Sequence, residues 1–116
     1  MDKFYRNLLT EIANTLDPLY HSINHLKKAD RDDIVECVVL CTRVKIYTNG
    51  MEMIKLLRKK RYDEIESIAN RLIRLISIHR NQLYKLTEKK TIDLSNFKFL
   101  SELKKLIGII KITFIP

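Results

Sequence analysis

The stretch Arg43–Leu56, RVKIYTNGMEMIKL, can be read in two ways, and the choice sets the fold. Val44, Ile46 and Thr48 are β-branched, and the Asn49-Gly50 pair behind them is a short-range hairpin signal. The flanks favour the other reading. Upstream, Val38-Val39-Leu40 breaks the alternation that a half-buried strand needs. Downstream, Lys55-Leu56-Leu57 runs on into a helical pattern. The stretch therefore reads as helix, with Asn49-Gly50 as a C-terminal stop. Composition agrees: only two glycines and two prolines occur in 116 residues. Sheet proteins draw on both residues for their many turns. The expectation is an all-α bundle of five or six helices in one domain, residues 1–110, followed by a short strand-like tail.

Working outward, Phe4, Leu8, Leu9, Ile12, Ala13 and Leu16 recur at helical spacing and predict a first helix over 2–15. Asp17-Pro18 reads as an N-cap followed by proline at the first helical position. A second short helix would run to Lys28 and bury Leu19, Ile23 and Leu26. The acids at Asp30–Asp33 suit the start of a third helix, where they complement its dipole. Its buried stripe would be Ile34, Cys37, Val38, Cys41 and Val44. Beyond Gly50, a separate short helix from about Glu52 would carry Lys55, Arg58, Lys59, Lys60 and Arg61. The longest helix is expected near 62–86. There Ile65, Ile68, Ala69, Leu72, Leu75, Ile76, His79, Leu83 and Leu86 form one apolar face. Thr87–Asp93 reads as a loop. Ser95 would cap a last helix burying Phe99, Leu103, Leu106 and Ile110, with Gly108 marking fraying or a stop. Residues 111–116 read as an extended apolar tail or linker stub.

The net charge is +8 and unevenly spread. Residues 1–54 are close to neutral, whereas residues 55–90 hold eleven Lys/Arg against four Asp/Glu. Such a local excess attracts polyanions or an acidic protein surface. The candidate contact residues are Lys55, Arg58, Lys59, Lys60, Arg61, Arg71, Arg74 and Arg80. Tyr62 and Tyr84 flank this region, either as edge-of-core residues or as platforms for a base.

Reactive constellations are sparse. Two glycines cannot build a phosphate-cradling loop, and neither Gly-x-Ser-x-Gly nor His-Glu-x-x-His occurs. Cys37 and Cys41 read as small buried side chains. His21 and His25, four apart, read as surface or boundary residues rather than a ligand pair. Asp30, Asp32 and Asp33, and Asp63, Glu64 and Glu66, fall at expected helix starts, where acids have an ordinary dipole role. No catalytic residue, metal site, cofactor or small-molecule substrate is expected. No apolar run reaches the ~18 residues of a membrane span. The first ten residues lack a signal-peptide pattern, so the expected location is intracellular: the cytoplasm of a prokaryote, or a nucleus.

Three segments carry a family resemblance: Leu56-Leu57-Arg58-Lys59-Lys60-Arg61, then Asn70-Arg71-Leu72-Ile73-Arg74-Leu75, then Leu94-Ser95 opening a helix with Phe and Leu. Together they resemble the helical domain of GINS subunits, of the type in which that domain comes first. GINS is the archaeal and eukaryotic DNA replication complex that joins the replicative helicase to its partners. The resemblance implies a non-catalytic scaffold working through helix–helix contacts in a homo- or hetero-oligomer. Arg71 and Arg74 would hold neighbouring helices and subunits, and Ile112 and Phe114 would meet another chain. The small β-domain that follows in the family has no counterpart within these 116 residues. A small basic helical nucleic-acid-binding protein using residues 55–90 is the alternative function.

Overall fold

Leu8, Ile12, Leu16, Leu19 and Ile23 make one unbroken stripe of three- and four-residue steps, and all five are buried. One helix, α1 (Asp2–Lys28), carries them. The computed structural model describes residues 2–28, 34–87 and 95–115. Three further helices follow among these residues: α2 (Ile34–Arg58), α3 (Ile65–Thr87) and α4 (Ser95–Phe114). A single 3₁₀ turn, Tyr62–Glu64, leads into α3. The fold is all-α, with no strand among the described residues.

Among the described residues the expected five or six helices become four, because two anticipated breaks, at Asp17-Pro18 and at Gly50–Glu52, do not occur. Pro18 lies inside α1 rather than opening a new helix. Its missing N–H removes the bond to the Asn14 carbonyl, and both residues are on the exposed side of the helix, where that loss costs least. Burial of Leu16 and Leu19 on either side outweighs that local cost. Gly50 does not stop α2, and no separate helix begins at Glu52. Thr48 Oγ1 donates to the Val44 carbonyl (3.0 Å) and Asn49 Nδ2 to the Lys45 carbonyl (2.7 Å), so both polar side chains serve the helix. Gly108 lies inside α4, and the expected strand-like tail is helical to Phe114. Isolated β-propensity gives way there to burial of Leu106, Ile107 and Ile110 on one face.

The helices run up, down, up and down. Leu16 meets Gly50 and Tyr20 meets Tyr47 between α1 and α2. Arg43 meets His79 and Asn49 meets Arg71 between α2 and α3. Tyr84 meets Phe97, and Asn70 meets Lys111, between α3 and α4. Tyr5 against Phe114 closes the ring of four. In each pair the residue numbers rise on one helix as they fall on the other, which defines antiparallel neighbours. At about 1.5 Å per residue, α1 spans roughly 40 Å, which accounts for the 45 × 24 × 21 Å envelope.

Several expected core positions change face. On α2 the buried stripe is Val39, Thr42, Arg43, Ile46, Gly50, Met53, Ile54 and Leu57, with Leu56 also buried beside its end. Cys37, Val38 and Cys41 are exposed, and Val44 is half-buried. Apolar residues occupy both faces of the first half of this helix, so periodicity there does not fix which face turns inward. On α1, Phe4 and Ala13 are exposed and Leu9 is half-buried. The α3 stripe stands as expected, with Ile65, Ala69, Leu72, Ile76, His79 and Leu83 buried and Ile68 and Leu75 at its edges. However, α3 is not the longest helix: it has 23 residues against 27 in α1, because 62–64 form a 3₁₀ turn and Pro18 does not break α1. On α4, Leu103, Leu106 and Ile110 are buried and Phe99 is half-buried. The burial expected for Leu26, Ile34 and Leu86 and the Ser95 cap concern side chains outside those described, and the readings of 30–33 and 88–93 fall outside the described residues.

Candidate functional site

The basic cluster forms at the exit of α2, and its backbone explains the display. Lys60 takes a left-handed conformation, φ 56°. Arg61 N–H donates to the Leu56 carbonyl (3.0 Å) and Lys60 N–H to the Leu57 carbonyl (3.1 Å). This pair of bonds is a Schellman cap, which ends the helix and reverses the chain. Tyr5, from the start of α1, also donates its hydroxyl to the Leu57 carbonyl. Burial raises the Tyr5 hydroxyl pKa, with a push from Tyr62 and an opposing pull from Arg58. Arg58, Lys59, Lys60 and Arg61 are all exposed around this cap.

The eight predicted cations do not form one surface. Lys55, Arg58 and Lys59 rim an open groove of about 520 Å³ along the flank of α2, with Tyr47, Thr48, Met51, Glu52 and Ile54 as its other walls. Arg61 is paired with Glu64 at 2.8 Å. Arg71 Nη1 donates to Asn49 Oδ1 (3.1 Å) across the α2–α3 seam. Asn49 and Met51, two residues apart, point about 200° from one another, so Arg71 lies round the helix from the groove. Arg74 is exposed and Arg80 half-buried on α3.

The two predicted oligomer contacts part company as well. Phe114 is half-buried, stacked on Tyr62 (4.7 Å between centroids) and met edge-on by Tyr5 (6.4 Å). Ile112 is 86% exposed. Tyr62 is thereby an edge-of-core residue, while Tyr84 is exposed beside Phe97.

A buried polar node escaped the sequence reading. Arg43 Nε donates to His79 Nε2 (3.2 Å), and Arg43 Nη1 donates to Ser22 Oγ. With Nε2 accepting, the His79 proton sits on Nδ1 and faces Gln82 Oε1 at 3.3 Å. Burial, reinforced by the Arg43 charge and opposed by the Gln82 bond, lowers the His79 pKa to about 4. Burial also lowers the pKa of Arg43. The available signal was phase: Arg43 lies between Val39 and Ile46 on the true core stripe of α2, and His79 lies on that of α3.

The other candidate groups stay apart. His21 Nε2 lies 3.5 Å from Asp17 Oδ2 on an exposed face, and His25 is exposed one turn on. Asp63 and Glu66 are exposed at the start of α3, beside the Arg61–Glu64 pair. Among the described residues, no three His, Cys, Asp or Glu side chains converge as a metal site. No helix among them is long and apolar enough to cross a membrane. Comparison with protein-family models, with curated proteins and with solved structures finds no match.

Proposed function

We propose that this chain is a non-catalytic interaction subunit that joins a larger assembly through helix–helix contacts. Ile112 carries the reading. Among the described residues it is the most exposed large apolar side chain, on the last turn of α4, at the end of the bundle where Tyr5, Tyr62 and Phe114 cluster. Phe4, next to Tyr5, is 47% exposed at the same end. Burying such a side chain against a neighbour contributes about 1.5–3 kcal/mol, enough to favour association when several act together. The resemblance of residues 56–61, 70–75 and 94–95 to GINS subunits makes a helicase-associated DNA replication complex the proposed assembly, with an intracellular location.

Light scattering across a concentration series tests this. A mass above one chain, falling to one chain in Ile112→Lys, is expected. The second reading, a basic nucleic-acid-binding protein, draws on the exposed cations of residues 55–61. A monomer at every concentration that binds arbitrary duplex, with affinity falling steeply in salt and lost in Lys59→Glu plus Lys60→Glu, would put it first.

A further inference from the structure

We propose that the flank of α2 is a docking groove for an acidic amphipathic helix of a partner protein. The inference rests on the interaction-subunit reading but uses a surface separate from Ile112. Tyr47, Met51 and Ile54 follow one another by four and three residues, the spacing of a ridge along a helix. Ile54 is buried and forms the floor. Tyr47 is half-buried and propped by Tyr20 of α1, centroids 5.4 Å apart. Met51 is 42% exposed, an adaptable side chain suited to an incoming apolar one.

Charge selects the partner. Lys55, Arg58 and Lys59 project from the rim, and among the described residues none of the three forms an ion pair. Glu52 is the one carboxylate among the groove's lining residues. Lys55 and Arg58 also complement the α2 dipole, yet this leaves their head groups in solvent and open to a second bond. An apolar floor beside a cationic rim matches a helix with leucine-like residues on one stripe and carboxylates beside it. Nucleic acid fits less well. Its phosphates need cations along the track, but the floor here is apolar and Arg71 lies round the helix.

The test is fluorescence anisotropy on the full chain. The probe is a labelled Leu/Glu helix of about 18 residues, with leucines at i, i+3, i+4 and i+7. A Leu/Lys helix of the same pattern is the control. Saturable binding of the acidic probe alone is expected. Met51→Asp, and separately Lys55→Glu plus Arg58→Glu, should each weaken it about ten-fold. Arg74→Glu plus Lys85→Glu, the same charge change on α3, should change it less than about two-fold. Circular dichroism confirms that each variant is folded. Equal binding of the basic helix, equal loss from both charge pairs, or no binding of the acidic probe would overturn the proposal. So would displacement of the probe by duplex DNA with no loss in Met51→Asp. Ile112→Lys separates the two ideas: a chain that becomes monomeric yet keeps the probe supports both. An oligomer that never binds the probe sinks the groove and spares the assembly.

Discussion

Gly50 and Lys60 hold positions that local preference would exchange. Gly50 sits within right-handed helix, where glycine costs about 1 kcal/mol relative to alanine. Lys60 sits just past the end of that helix at φ 56°, where a side chain costs roughly 1–2 kcal/mol and glycine nothing. Tertiary contact resolves the first case. A Cβ on Gly50 would come within 2.8 Å of Leu16 Cδ1, and Leu16 is itself fully buried. The glycine leaves the space on α2 that the Leu16 side chain of α1 fills. Hydrogen bonding resolves the second. Two cap bonds, with the Tyr5 hydroxyl on the Leu57 carbonyl, hold the reversal while the lysine head group stays in water. The interior of α2 is ruled by its neighbours, and its exit by its own backbone bonds with one added from α1.

The largest effect expected from that division lies in the interior, at Arg43 and His79. His79 holds its proton less tightly folded than unfolded, with a pKa near 4 against an ordinary 6.5. Between these values the unfolded chain binds more protons, so stability is full above pH 6.5 and falls as the pH drops toward 4. The loss is on the order of 3 kcal/mol. Urea denaturation at stepped pH should show it, and His79→Gln should flatten the slope between pH 6.5 and 5. An equally steep slope in the variant would show that the node does not hold the histidine neutral.

Next in size is the helix contact. Gly50→Val should lower the unfolding free energy by about 1–3 kcal/mol, as overpacking does in a closed core. The penalty should shrink when Leu16→Ala opens the facing space, and a double-mutant cycle by chemical denaturation measures the coupling. Additive effects would mean that Leu16 is not what Gly50 accommodates.

The same division explains what could be read beforehand. The α3 stripe from Ile65 to Leu83 was legible because mostly polar residues occupy its other faces, with Ile78 and Tyr84 the exposed exceptions, leaving one phase for the core. On α2, apolar residues face both ways, so Cys37, Val38 and Cys41 were assigned inward while Thr42 and Arg43 took those places. Pro18 and Gly50 carried true local signals, overridden by burial of Leu16 and Leu19 that no local rule sees. At the candidate site, exposure of Lys55, Arg58 and Lys59 was legible, since long charged side chains keep their ends in water. The groove beside them was not. It depends on the phase of α2 and on Tyr20, a residue of another helix. The Arg43–His79 node joins three helices, so its parts lie far apart in the chain.

The smaller effects act on the backbone alone. Lys60→Gly should raise stability by about 1 kcal/mol, because glycine takes the left-handed cap without strain. A stabilised variant that still binds the acidic probe would also separate the cap from the groove. Gly108 then supplies the control for Gly50. It too lies within a helix, but a Cβ there meets nothing within 4 Å. Gly108→Ala should therefore collect helix propensity unopposed, a gain somewhat under 1 kcal/mol, roughly, read as a small rise in Tm. Gly50→Ala should return less than that, since part or all of the same gain is spent on moving Leu16. Equal gains at the two glycines would reduce the contrast within α2 to propensity, and the close approach of α1 would no longer account for a glycine at position 50.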